Sequence, residues 1–176
     1  GLTSNKVVAI SEDLNGNIWL VTSNGINKID GKKVTQFISY AGKEIENAHT
    51  ILQDRTGNLW FGDNNGLIRY NPKESNNFDE NSISIFDTTD GLIDNNVVEI
   101  AEDYLGNLFI ATTKGINILM TSELQKAQNK KGYENKIKNT DSISQKKIFR
   151  NLKVHDGSPS SLMNNIFVDT KGYIWL

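Results

Sequence analysis

Glu12-Asp13-Leu14-Asn15-Gly16-Asn17-Ile18-Trp19-Leu20, followed by Thr22-Ser23-Asn24-Gly25-Ile26, decides the fold because the chain repeats it. The second copy is Gln53-Asp54-Arg55-Thr56-Gly57-Asn58-Leu59-Trp60-Phe61, then Asp63-Asn64-Asn65-Gly66-Leu67. The third is Glu102-Asp103-Tyr104-Leu105-Gly106-Asn107-Leu108-Phe109-Ile110, then Thr112-Thr113-Lys114-Gly115-Ile116. A fourth begins at Val168-Asp169-Thr170-Lys171-Gly172-Tyr173-Ile174-Trp175-Leu176. Self-similarity at this period is the mark of a repeat architecture.

Each copy reads as four short antiparallel strands, A to D. Strand A is expected at Val7 to Glu12, around His49 to Gln53, and at Val97 to Glu102. Ile10, Ile51, Ile100 and Ile166 each stand three residues before the Asp, which predicts a packed β-branched position. Asp-x-x-Gly is a turn: the Asp bonds the backbone ahead of it and the Gly takes a positive φ. Strand B is expected at Ile18 to Thr22, Leu59 to Gly62 and Leu108 to Thr112. Its ring position, Trp19, Trp60, Phe109 and Trp175, is suited to packing between sheets. Asn24-Gly25, Asn65-Gly66 and Lys114-Gly115 are tight hairpins. Strand C follows at Ile26 to Asp30, Leu67 to Tyr70 and Ile116 to Leu119, and strand D at Val34 to Ile38, Ile83 to Asp87 and Ile148 to Val154.

Four strands in 40 to 50 residues is the unit of a β-propeller blade. The chain is therefore expected to be all-β: a fragment of about three and a half four-stranded antiparallel blades. Blade 1 spans about 1–40, blade 2 about 41–88, blade 3 about 89–155 with an insertion at 120–147, and an incomplete blade 4 about 156–176. The insertion carries seven lysines, Lys126 to Lys147, against Glu123, Glu134 and Asp141. A short helix near Glu123 to Lys131 is expected there, then a solvated loop. Strands alternate in direction, so A–B and C–D turns share one face of the disc. B–C turns and D-to-A linkers share the other.

The pattern Asp-x-x-Gly-Asn-[Ile/Leu]-Trp-[Leu/Phe], then Thr-x-x-Gly-[Ile/Leu], resembles the two-component regulator propeller repeat. Gly91-Leu92-Ile93-Asp94-Asn95-Asn96 and Gly1-Leu2-Thr3-Ser4-Asn5 resemble the linker before strand A in that family. The resemblance implies the periplasmic sensor region of a hybrid two-component histidine kinase. Such receptors are typical of gut bacteria that detect glycans, so an oligosaccharide ligand is implied. The family's propellers have about seven blades, so the partners implied are the remaining blades or a second copy of the chain. The parent protein would be a membrane-anchored dimer. The chain begins Gly-Leu inside the repeat pattern and reads as a piece of a longer protein.

Composition narrows the alternatives. The 176 residues carry a net charge of −2 and no cysteine, so no basic field suits nucleic acid and no thiolate can hold a metal. No apolar run approaches the roughly 18 residues of a membrane helix. No phosphate-binding loop, Gly-x-Ser-x-Gly elbow or paired-histidine motif occurs. The repeated Asp residues are turn residues, because a catalytic pair would be singular. No cofactor, metal or catalytic residue is expected. Propeller geometry favours the mouth formed by D-to-A linkers and B–C turns for a ligand. The residues expected there are Tyr40, Asn47, His49, Asn64, Asn95 and Asn96. The rival readings are a protein-interaction scaffold and, further off, a propeller lyase or hydrolase.

Overall fold

The computed structural model describes residues 1–40, 42–45, 47–75, 77–79, 81–120, 148–152 and 165–175. Every regular element among them is a strand. The expected helix near Glu123 lies outside the described residues.

Three four-stranded antiparallel sheets follow one another along the chain. The first is β1 (Val7–Glu12), β2 (Ile18–Thr22), β3 (Gly25–Asp30) and β4 (Lys33–Phe37). A two-stranded hairpin follows, β5 (Ser39–Tyr40) with β6 (Lys43–Glu44), where the sequence predicts only a linker. The second sheet is β7 (Thr50–Gln53), β8 (Leu59–Asp63), β9 (Gly66–Tyr70) and β10 (Ile83–Phe86). The third is β11 (Val97–Glu102), β12 (Leu108–Thr112), β13 (Gly115–Leu119) and β14 (Phe149–Leu152). Among the described residues the fourth copy forms β15 (Phe167–Val168) paired with β16 (Ile174–Trp175). Each full sheet is a meander with spatial order equal to chain order, as expected of blades. Strand β7 runs beside both β1 and β11, which puts the A strands innermost.

Local chemistry explains the repetition. Asp13 Oδ1 accepts the amides of Asn15 (2.9 Å) and Asn17 (3.0 Å), and its Oδ2 accepts Trp19 Nε1 at 2.8 Å. Asp54 repeats this with Thr56, Asn58 and Trp60, whose Nε1 lies 2.7 Å away. Asp169 does so with Trp175 at 3.1 Å. Phe109 has no donor, so Asp103 keeps the Asn107 bonds alone on that side. The turn glycines Gly16, Gly57, Gly106 and Gly172 have φ between 78° and 90°, a region that favours glycine. One carboxylate thus closes the turn and anchors the ring that packs the next seam.

The core lies in the seams between sheets. Trp19, Val21 and Ile26 of the first sheet meet Leu59, Phe61, Ile68 and Tyr70 of the second. Trp60 and Leu67 meet Ile100, Leu108, Ile110, Leu119 and Phe149 of the third. Phe109, Ala111 and Ile116 meet Ile166 of the fourth. Each ring therefore covers the Ile of the following copy. Ile100 and Ile166 are 4% and 5% exposed, whereas Ile10 is 65% exposed. The expectation that Ile10 is packed is thus corrected: among the described residues no ring lies over it. Trp175, expected to pack, is 60% exposed. The second and third sheets come close together at Gly62, where an added Cβ would lie 2.5 Å from Val97 Cγ1.

The linkers are held by strand C. Thr3 donates its amide to Asn27 Oδ1 (2.9 Å), and Asn27 Nδ2 returns a bond to Thr3 Oγ1 (2.8 Å). Asn117 holds Ile93 N at 3.0 Å and the Gly91 carbonyl at 3.2 Å in the same way. In the second sheet this position is Ile68, and the linker answers with buried Ile45 in the same apolar cluster.

Candidate functional site

Linkers and B–C turns meet at one end of the sheets. Ser23 donates its amide to Lys6 O (3.3 Å), and Thr113 donates its amide to Asn96 O (3.2 Å). Side chains reinforce these joins. Ser23 Oγ lies 3.0 Å from Ser4 Oγ. Thr113 Oγ1 donates to Asp94 Oδ2, and Lys114 Nζ sits 3.3 Å from Asp94 Oδ1. Burial raises the Asp94 pKa, but Thr113 and Lys114 outweigh it and leave the carboxyl below its ordinary value.

The second copy departs from this arrangement. Ile45 stands where Ser4 and Asp94 stand, so its B–C turn has no side-chain tie to that linker position. Asn64 Oδ1 instead lies 2.9 Å from His49 Nε2. His49 is half-buried and Asn64 is exposed. Copies one and three carry Val8 and Val98 at the position of His49, at bulges in β1 and β11. Asn47 is exposed, adopts φ 50°, and donates its amide to Ser23 O across the seam (3.3 Å). The structure therefore brings His49 and Asn64 together at the second B–C turn and ties Asn47 to the first.

Three of the expected residues sit differently. Tyr40 is 3% exposed, and its hydroxyl donates to Asp63 Oδ2 at 3.2 Å. This corrects its expected place among the ligand-binding residues of the mouth: the phenol is drawn inward by a buried carboxylate and offers no face to a ligand. Asn95 Oδ1 accepts Thr88 N at 2.8 Å and so closes the third linker. Asn96 is half-buried, and its Oδ1 has no hydrogen-bond partner among the described residues.

Asp63 was the residue that sequence reasoning passed over. It is 0% exposed and stands where the other copies have Thr22 and Thr112. Burial holds its pKa above the ordinary carboxylate value, and bonds from Asn65, Tyr40 and Gly66 only partly oppose this. Burial, with the charge of Asp63, likewise pushes the Tyr40 phenol up. The signal was available, because aligning the repeats exposes an Asp at a Thr position.

Chemically, the site offers amides, an imidazole and short hydroxyls, a set that hydrogen-bonds neutral polar groups. No group of three or more His, Cys, Asp or Glu side chains that could hold a metal occurs among the described residues.

Residues 44–65 match the family model described as "Two component regulator propeller". Among curated protein sequences none matches closely enough to count as a relative. Among solved structures, the chain is similar to the extracellular domain of a putative hybrid two component system from B. thetaiotaomicron. The TM-score is 0.72 at 22% identity, over 98% of this chain and 20% of that one. The extracellular domain of a second such system from the same organism gives 0.71 at 17% identity, over 99% and 22%. Virginiamycin B lyase from Staphylococcus aureus is less similar: 0.52 at 17% identity, over 69% and 41%. The chain spans about a fifth of the length of the two-component structures it matches. In fold it is a partial β-propeller like theirs, and residues 44–65 carry a two-component regulator propeller repeat.

Proposed function

We propose that this chain is part of the periplasmic, ligand-sensing propeller of a hybrid two-component receptor, with an oligosaccharide as ligand. The carrying observation is that two polar departures from the repeat meet at one place, His49 and Asn64. A repeat protein supplies its own control: what the fold needs recurs, and what does not recur is available for function. The matched family repeat, and the extracellular domains that share the fold, support the receptor context. The remaining blades, or a second copy of the chain, would cover the Ile10 and Trp175 faces. Signalling follows if the ligand favours one arrangement of the receptor over another.

The test is a thermal-shift screen of the intact protein against a panel of oligosaccharides. A ligand at a hundred times its Kd adds about 2.7 kcal/mol of stability. His49→Ala or Asn64→Ala should weaken that ligand by about tenfold, the worth of one hydrogen bond. A shift that survives both changes moves the site to other blades. No shift with any glycan, in a well-folded sample, sinks the sensor reading.

A second reading, a protein-interaction scaffold, draws on the opposite face. There Leu14, Tyr104 and Leu105 of the A–B turns are exposed. The lyase resemblance carries fold alone, and His49 pairs with an amide where an acid–base pair would need a carboxylate.

A further inference from the structure

The three complete copies close their B–C turns differently. In the first, Thr22 Oγ1 donates to Gly25 O (3.0 Å) and accepts Asn24 N (3.3 Å). In the third, Thr112 Oγ1 donates to Gly115 O (2.8 Å) and accepts Lys114 N (3.3 Å). In the second, Asp63 pairs with Gly66 in the same register. Its Oδ1 accepts Asn65 N at 2.7 Å, so the amide bond is kept and shortened. An ionised carboxylate has no proton for the Gly66 carbonyl. Its other oxygen instead accepts the Tyr40 hydroxyl. In the first copy the Thr22 hydroxyl also meets Thr3 Oγ1 of its own linker at 2.8 Å; in the second the tie runs instead to β5, at the linker hairpin, and is made by a carboxylate. Both members of the tie are buried, and neither residue type recurs at the matching position of another copy.

We propose that Asp63 and Tyr40 are positioning residues that set the placement of Asn64, and through it the Asn64–His49 pair, at the ligand subsite. This rests on the reading that the subsite lies at the second B–C turn. The mechanism is mechanical. Asn64 lies between Asp63 and Asn65, both ends of the bond that the carboxylate makes. Oδ2 cannot leave Tyr40 without stranding a buried acceptor, so the turn cannot shift independently of β5. Holding a contact residue from behind by a locked, buried pair is how a site is kept to its working geometry.

Two variants of the intact protein test this without a ligand. Tyr40→Phe removes the tie and keeps the ring. Asp63→Thr gives the second copy the residue of its siblings, whose hydroxyl closes the turn on the glycine carbonyl. Amide hydrogen exchange is followed at Asn64 to Gly66, with turns 23–25 and 113–115 as internal controls. The expected result is exchange faster by about tenfold or more at Asn64 to Gly66 in Tyr40→Phe, with the control turns and strand β8 unchanged. Asp63→Thr should move the Asn64 side chain off His49 in a crystal structure while the thermal midpoint is retained. Unchanged exchange together with an unchanged Asn64–His49 pair overturns the proposal. So does a rise spread over the whole second sheet, which is the signature of a merely structural pair. If the glycan screen fails while turn exchange responds as expected, the clasp stands and the sensor reading falls.

Discussion

Asp54 shows how much one side chain can organise. Burial alone would raise its pKa, but Trp60 Nε1, Asn58 and Thr56 all donate to it and leave it below the ordinary 3.8. A carboxyl whose pKa is depressed by folding adds stability above its unfolded value and loses that contribution as pH falls through the folded one. Asp13 is depressed in the same sense by Trp19 and Asn17. The thermal midpoint should therefore hold above about pH 4 and fall steadily below it. Asp54→Ala should cost about 3–5 kcal/mol in denaturant unfolding at neutral pH, since it strands several buried donors together. The Asp was legible in the sequence because the turn is local. Its partners lie within six residues, so spacing alone carries the information. Tyr40 was not, because its partner Asp63 is 23 residues away and the contact exists only once the second sheet has formed. An aromatic outside the repeat register reads as exposed until the fold shows what buries it.

Strands were legible to within a residue or two, since period-2 patterning and turn glycines bracket them from both sides. The β5–β6 hairpin was not: two residues per strand leave no period to read. The loop between β9 and β10 is a further element whose role only packing reveals. It returns Phe78 to the first seam, with ring centroids 4.7 Å from Phe37, 5.4 Å from Tyr70 and 6.0 Å from Phe61. Lys73 Nζ fastens the same loop to Thr56 O at 2.9 Å. A loop that looks like decoration thus seals the outer part of a core. Phe78→Ala should destabilise the chain by about 2–3 kcal/mol in chemical unfolding, the lower end for a large aromatic because the ring is only half-buried. Lys73→Ala, losing one exposed bond, should stay within about 0.5 kcal/mol.

At the scale of the molecule, stability resides in the seams where successive sheets meet. Identical sequence signals then have unequal consequences. Ile10 and Ile100 stand at the same repeat position, yet one is solvated and the other buried beneath the preceding sheet. Ile100→Ala should cost about 2–4 kcal/mol, and Ile10→Ala about 0.5 kcal/mol or less, in equilibrium unfolding of this chain. In a longer protein whose added blade covers Ile10, the second figure should rise towards the first. That comparison measures whether the proposed neighbouring blade is there. Sequence shows where a seam residue belongs in a blade, and only the assembled array shows whether a partner lies opposite.

The bonds from strand C to the linker ahead of it reach beyond this one protein. Asn27 and Asn117 grip linkers that begin Gly-Leu, and Ile68 accepts one that buries an isoleucine. Lock and key are separated by about two dozen residues and both sit upstream of the fourth strand. A gene duplication whose breakpoint falls at the linker copies them together, and the new unit arrives able to dock. A breakpoint at the first strand parts them, leaving an asparagine facing an isoleucine. The heritable module is therefore the linker with the blade that follows it, and recombined propellers should be cut there.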